Sequence, residues 1–184
     1  MTATNDDARD PVDGEPFAGE ITGGRDAEMP RIRHMRPDDL ERETHFVDGL
    51  SEESRYKRLF SLRHLSPAEL ERLTHPDSTR ERALVATVGT LEDERFVGVA
   101  RYAVGDDPNE CEFAIVVADE WQHHGIGHRL LSALIEEARA ARIPRMFGYT
   151  FVTNRAMLDL AQSLGFARTR YPGDNTLIVM SKKL

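Results

Sequence analysis

A glycine-containing loop in the second half of the chain is the stretch best suited to bind an anion. It reads Gln122, His123, His124, Gly125, Ile126, Gly127. An apolar, β-branched run at 113–117 precedes it, and apolar residues recur at helical spacing through 130–138. Glycines let backbone N–H groups approach a ligand, and a helix start presents unpaired N–H groups at the positive end of its dipole. The order strand, glycine loop, helix predicts a phosphate or pyrophosphate site.

Two familiar phosphate-binding motifs do not fit this loop. A Walker loop needs Lys and then Ser or Thr after its last glycine, whereas His128 and Arg129 follow Gly127 here. A dinucleotide fingerprint needs Gly or Ala three residues after Gly127, where this chain has Leu130. The sequence leaves two interpretations, a Gln-x-x-Gly-x-Gly anion loop or an ordinary strand-to-helix turn that uses glycines for tightness.

Metal and thiol chemistry have little support in the sequence. The histidines at 123, 124 and 128 lack acidic or thiolate residues that would complete a recognisable ligand set, so we predict no metal. The single cysteine, Cys111, excludes an internal disulfide and a cysteine-rich zinc site. No partner base for Cys111 is visible, which disfavours it as an acyl-carrying nucleophile.

Composition and charge predict a globular chain with an acidic tail. The 184 residues are 40% hydrophobic and 30% charged, and the formal net charge is −8. Residues 1–28 hold eight acidic and two basic side chains, so −6 of that charge lies in the tail. We predict that 1–29 is disordered and that 30–184 is one domain. No basic stripe favours nucleic acid, and neither a membrane span nor a signal peptide is evident, so a cytoplasmic protein is expected.

The remaining patterns predict a mixed α/β fold. Before the glycine loop, strands are expected at 31–36, 83–88 and 95–102, with short helices at 37–49, 51–60 and 66–73 between the first two. After the loop and its helix, a strand at 145–152 is followed by a helix that Asn154 caps, with residues 156, 157, 160, 161 and 164 inward. A hairpin over 166–180 closes the chain. The sheet is therefore expected to be mostly antiparallel, with a parallel pair around the central helix.

This order of elements, with the Gln-x-x-Gly-x-Gly loop at its centre, resembles the GNAT superfamily of N-acetyltransferases from about Arg31 to the end of the chain. The segment from Asn154 to Leu164-Gly165-Phe166 resembles the second cofactor-binding segment of that superfamily. The stretches 50–56 and 111–114 look like the catalytic domains of bacterial protein lysine acetyltransferases.

The resemblance implies acetyl-CoA as the acyl donor and an amine as the acceptor, and it assigns roles to individual residues. Glu112 matches the general base, with Glu110 on the same strand face as the rival. Val117 would pair with the pantetheine arm, residues 123–128 would face the pyrophosphate, and Asn154 would reach the pantetheine. Arg129 or His128 could add positive charge at a phosphate.

Two positions depart from the superfamily pattern. His123 stands where many members have Gly, which suggests a less close backbone approach. Ala161 stands where many have a Tyr that protonates the departing thiolate, and similar protein-acetylating sequences also lack that Tyr. The resulting hypothesis is acetyl transfer to a protein lysine. The alternatives are acetylation of a small amine and a GNAT-fold sensor that binds acyl-CoA without turning it over.

Overall fold

A computed structural model describes residues 29–59, 65–90 and 92–184. They form seven strands and five α-helices: β1 (Arg31–His34), α1 (Leu40–Gly49), α2 (Glu52–Leu59), α3 (Pro67–Thr74), β2 (Glu81–Val88), β3 (Arg95–Val104), β4 (Glu110–Val117), α4 (Ile126–Ala140), β5 (Arg145–Phe151), α5 (Arg155–Ser163), β6 (Ala167–Tyr171) and β7 (Asp174–Lys183). Short 3-10 turns precede α1 at Pro37–Asp39 and follow β4 at Asp119–Trp121.

The strands form one sheet in the order β1-β2-β3-β4-β5-β7-β6. Every neighbouring pair is antiparallel except β4 and β5, which are parallel because α4 carries the chain back between them. The parallel pairing covers only Glu110–Glu112 against Arg145–Phe147, although both strands continue beyond it. The sheet therefore opens into a gap between β4 and β5.

Helices cover the two faces of the sheet. On one face, α4 packs its leucines against β2, β3 and β4, and α5 adds Leu158 and Ala161, which makes the larger core. On the other face, α1 packs Phe46 against Val85 and Val99 in a smaller core. α2 also lies on this second face and crosses the gap, since Tyr56 stacks on Phe151 of β5 with ring centroids 5.0 Å apart.

The predicted fold class is confirmed, and two details differ. β4 begins at Glu110, because its first residues pair with β3 and β5, rather than at the apolar run that marks its second half. In α5, the predicted inward residues 157, 160, 161 and 164 pack against the larger core, but Ala156 is exposed and lines the gap, and Leu158 is buried instead. Residues 1–28 of the predicted tail, and Phe60 at the end of the helix predicted at 51–60, lie outside the described residues. No helix in the described ranges is long and apolar enough to cross a membrane.

Candidate active site

A cavity of about 800 Å³ occupies the gap between β4 and β5. The closed end of the gap is the last strand pair, Glu112 with Phe147. Next to it, Gly148 leaves room for the Phe113 ring, because a Cβ at position 148 would lie 2.7 Å from that ring. The wall comes from α2, β4, the glycine loop, β5 and the start of α5.

The backbone of β4 turns hydrogen-bonding groups toward this cavity. The Ala118 N–H donates to the Val97 carbonyl at 2.9 Å. This bond establishes which residues of β4 direct their backbone N–H and C=O groups toward β3. In an antiparallel ladder, residues one position away from a hydrogen-bonded pair point their N–H and C=O the opposite way. Val117 and Ile115 therefore face the gap, as an extended amide-containing ligand lying along β4 would require.

The loop before α4 supplies a second set of backbone donors. Gly125 is the N-cap of α4 and has a φ of 76°, a left-handed conformation that favours glycine. The first helical hydrogen bond runs from the Arg129 N–H to the Gly125 carbonyl. The N–H groups of Ile126, Gly127 and His128 precede it and lack intrahelical acceptors, so they form a helix N-terminus suited to a phosphate.

His123 occupies a strained position in this loop. Its φ is 63°, so it adopts the left-handed conformation for which glycine has no steric penalty. Glycine, which the resemblance described above implies at this position, would adopt the same conformation without strain. The His123 side chain is exposed and lines the cavity.

Most of the residues predicted for donor binding lie around the cavity, but three do not line it. Val117, Gln122, His123, Gly125, Gly127, His128 and Asn154 line the wall. Ile126 is only 2% exposed and packs in the larger core. The His124 Nδ1 bonds to the Gln122 carbonyl at 2.6 Å, and Arg129 on α4 also lies outside the lining. The side chains of these three residues therefore lie outside the cavity surface, whereas the Ile126 N–H belongs to the helix start described above.

Two of the lining residues have structural hydrogen bonds. The Gln122 Nε2 donates to the Val117 carbonyl and to the Ser54 Oγ, both at 3.2 Å, so this side chain braces the loop against β4 and α2. The Asn154 Oδ1 accepts from the Met157 N–H at 3.3 Å, which is an N-cap of α5.

The two candidate bases differ in their surroundings. Glu112 lines the cavity at its closed end and is exposed, so the described part of the protein does not itself enclose the carboxylate in the apolar surroundings expected from the sequence. Glu110 is outside the cavity lining and forms an ion pair with Arg145 of β5. Buried Cys111 lies between them in sequence, and burial, with a smaller effect of Glu110, raises the pKa of its thiol to about 12. At neutral pH Cys111 is therefore a protonated core residue.

Asp119 fastens α2 over the cavity. It accepts hydrogen bonds from the Ser51 N–H at 3.0 Å, the Ser51 hydroxyl at 2.8 Å and the Ser54 hydroxyl at 2.7 Å. Burial by itself would raise the pKa of Asp119, but the bonds from Ser51 and Ser54 hold it below its usual value. A carboxyl whose pKa is lower in the folded state stabilises that state above its unfolded pKa. The stabilisation from the hydrogen bonds between Asp119 and α2 is therefore fully present at neutral pH, and it is lost as the pH falls through the folded-state pKa of Asp119.

Removing this carboxylate is expected to loosen α2 without unfolding the domain. In Asp119→Ala, amide hydrogens of α2 should exchange about tenfold faster, which corresponds to roughly 1.4 kcal/mol, the order of one hydrogen bond to a charged group. Hydrogen-exchange mass spectrometry measures this, with α4 as the internal reference. Glu120→Ala is the matched control, because Glu120 accepts from the Trp121 Nε1 rather than from α2. Equal exchange of α2 in parent and Asp119→Ala would contradict the role of Asp119.

Comparison with known proteins supports the chemistry that this geometry suggests. The model of the acetyltransferase (GNAT) family matches residues 44–166. The chain belongs to this family. It is 34% identical over 169 residues to an acetyltransferase of Pseudomonas aeruginosa, covering 91% of this chain and 89% of the relative. It is also 32% identical to the acetyltransferase Pat of Mycolicibacterium smegmatis, covering 77% of this chain but only 42% of that longer protein.

Solved structures show the same fold. The GNAT domain of S. lividans PAT superimposes with a TM-score of 0.76 at 28% identity, covering 87% of this chain and 93% of that domain. A putative acetyltransferase of Salmonella typhimurium, solved with its cofactor acetyl-CoA, superimposes with a TM-score of 0.68 at 20% identity, covering 85% and 95% of the two chains. At that identity the second likeness concerns the fold alone.

The described residues contain no cluster of three or more His, Cys, Asp or Glu side chains that could hold a metal ion. Ser54 and Lys57 of α2 and Tyr149 of β5 also line the cavity, although no local sequence pattern predicts it. These residues come to the cavity only through the packing of elements that are distant in the sequence.

Proposed function

We propose that this GNAT protein transfers an acetyl group from acetyl-CoA to the side-chain amine of a protein lysine, with Glu112 as the general base. The observation that carries the proposal is the single gap that connects the glycine loop at one end with Glu112 at the other. From Val117 to Glu112 the strand spans five residues, about 16 Å at roughly 3.3 Å per residue. An extended thioester anchored at the loop thus has a path along Ile115 to the carboxylate.

The residues present fit the acyl donor. The N–H groups at the start of α4 suit the pyrophosphate, and the gap-facing backbone of Val117 and Ile115 suits the amides of the pantetheine arm. Gly127 keeps the first turn of α4 open, because a Cβ there would lie 3.3 Å from the Leu160 side chain and 3.8 Å from that of Val117. When bound, acetyl-CoA supplies the activated acyl group.

The protein's own residues then act on the amine. A lysine amine has a pKa of about 10.4, so at neutral pH it arrives protonated and has to lose a proton before it attacks. Glu112 is the carboxylate placed at the closed end of the gap to take that proton. Its exposure supports a macromolecular acceptor, because a lysine presented on a protein surface can reach it from outside. The likeness of stretches 50–56 and 111–114 to protein lysine acetyltransferases supports the same acceptor.

A transfer assay on the full chain tests the proposal. Acetyl-CoA is offered with lysine-containing peptides, with the same peptides carrying Arg for Lys, and with polyamines, and the products are read by mass spectrometry. We expect acetylation of lysine side chains and none of the arginine peptides. Acetylation of polyamines alone would identify a small-amine enzyme, and tight acetyl-CoA binding without any transfer would identify a sensor. The chain contains only three lysines, Lys57, Lys182 and Lys183, so self-acetylation is easily mapped.

A further inference from the structure

Tyr149 stands opposite Glu112 at the closed end of the gap. It lies on β5, two residues beyond Phe147, the residue that pairs with Glu112. Paired residues of parallel strands share a face, and residues two apart on one strand also do. Tyr149 and Glu112 therefore lie on the same face of the sheet, on the two strands that separate here. Both line the cavity.

The Tyr149 ring is held in place while its hydroxyl has no partner within the described chain. Phe147 and Tyr171 contact the ring edge-to-face, with centroid distances of 5.7 and 5.6 Å and interplanar angles of 82° and 75°. Such pairs stabilise a fixed orientation. None of the hydrogen bonds found among the described residues involves the Tyr149 hydroxyl, so this donor remains available to a ligand in the cavity.

The position of Tyr149 matches that of the leaving group in the proposed reaction, on which this inference rests. A donor anchored at the glycine loop reaches Glu112 only with its thioester at the closed end of the gap, between the strands that carry Glu112 and Tyr149. We propose that the Tyr149 hydroxyl donates a hydrogen bond to the sulfur of CoA and stabilises the thiolate as it departs. Tyr149 thereby takes over the part that Ala161, at the position where many family members carry a tyrosine, cannot perform.

The bond changes balance without any further reactant. The ammonium first gives one proton to Glu112, which passes it to solvent. The neutral nitrogen then forms a bond to the thioester carbonyl carbon and gives up a second proton by the same route as the amide forms. The carbon–sulfur bond breaks with its electron pair on sulfur, and Tyr149 shares its hydroxyl hydrogen with the developing charge. Burial and the negative charge of Glu112 raise the pKa of Tyr149, so the hydroxyl stays protonated as a donor throughout the neutral range, and the thiolate takes its proton from solvent after release.

Tyr171 is the matched comparison for this role. Its ring contacts Tyr149, but it lies at the end of β6, is 40% exposed and does not line the cavity. Tyr171→Phe should therefore retain the rate of the parent, whereas Tyr149→Phe removes the hydroxyl that faces the ligand while keeping the ring packing.

The kinetic test uses two acyl donors on the full chain. With acetyl-CoA, Tyr149→Phe is expected to lower kcat by about 10- to 100-fold, below the loss for an oxyanion donor because sulfur accepts hydrogen bonds more weakly. With the acetyl selenoester of the CoA selenium analogue the loss should nearly vanish, because a selenolate is a more stable anion. Equal losses with both donors would show that Tyr149 only positions the substrate. An unchanged rate in Tyr149→Phe, in a parent that transfers acetyl, would overturn the inference and leave the proposed function intact.

A binding measurement tests the contact without turnover. The chain has four tyrosines, so a spectrum of protein labelled with ¹³C at the tyrosine ζ carbon resolves few signals, and Tyr→Phe variants assign them. CoA should shift the Tyr149 signal clearly more than desulfo-CoA does, while the Tyr171 signal responds equally to both. Equal responses of Tyr149 to the two ligands would exclude contact with sulfur, even if the chain proved to be a sensor that transfers nothing.

Discussion

Glu112→Gln is expected to lower the rate of acetyl transfer by about 10²–10⁴-fold, the usual cost of removing a positioned general base. Glutamine keeps the size of the side chain and its hydrogen-bonding ability, but it cannot accept the amine proton. Acetyl-CoA affinity should hardly change, because Glu112 lies at the closed end of the gap while the glycine loop lies at the open end. Steady-state rates and calorimetry on the same preparations measure both quantities.

The pH dependence of Glu112→Gln tests whether the step that this variant lacks is removal of the amine proton. As the pH rises toward the amine pKa of about 10.4, more acceptor arrives already neutral, so the difference between parent and Glu112→Gln should shrink. A constant ratio across the range would mean that Glu112 acts in some way other than taking this proton.

Glu110→Gln is the matched control for the base. Glu110 shares the strand face of Glu112, but its carboxylate is paired with Arg145 outside the cavity. Loss of a partly exposed ion pair costs about 0–1 kcal/mol, so this variant should fold and transfer acetyl nearly as the parent does. If Glu110→Gln were instead the inactive variant, the assignment of the base to Glu112 would be wrong.

Local signals in the sequence account for much of the fold. Ser66 and Glu69 form the capping box that their spacing predicts, and Asn154 caps α5 through the Met157 N–H. The glycine at 125 adopts a positive φ at the start of α4, and apolar residues at helical spacing bury one side of that helix. In each case the interacting groups are at most a few residues apart, so periodicity and turn chemistry suffice to predict them.

The parts of the candidate site that sequence patterns do not predict depend on contacts between segments far apart in the chain. The Gln122 side chain bonds to Ser54, and Asp119 fastens Ser51, across sequence separations of 68 residues. Tyr149 comes opposite Glu112 only because β4 and β5 pair for three residues and then separate. Neither the strand register nor the point of separation leaves a periodic pattern in the sequence. The resemblance at 50–56 singles out α2, but only the structure places α2 and Tyr149 at the cavity.

At two of the predicted loop positions the side chain does not line the cavity. Ile126 lies between the two glycines of the motif, but its side chain turns into the core because it is the first residue of α4 and its apolar surface is buried there. Arg129 lies one turn into the same helix and outside the cavity lining, although its charge suits a phosphate. The backbone of this turn, rather than its side chains, is the feature that faces the gap.

Gly127→Val is accordingly expected to weaken acetyl-CoA binding by about 100-fold or more. A branched side chain at position 127 would fill the space over the first turn of α4, next to Leu160 and Val117, and keep a phosphate away from its N–H groups. Loss of two hydrogen bonds to a charged group, at about 1.5 kcal/mol each, accounts for that factor. Calorimetric titration with acetyl-CoA measures the change.

The fold should survive this substitution, which makes Gly127 a sharper probe than Gly125. Gly127 has no left-handed φ, and the neighbour nearest to its missing Cβ is the flexible end of Leu160. Gly125→Val also imposes a β-branched residue at a φ of 76°, so it should lose thermal stability along with binding. Gly105→Val is the control, because its Cβ would meet nothing within 4 Å and it lies in the turn before β4. Unchanged acetyl-CoA affinity in a folded Gly127→Val would remove the glycine loop from the donor site.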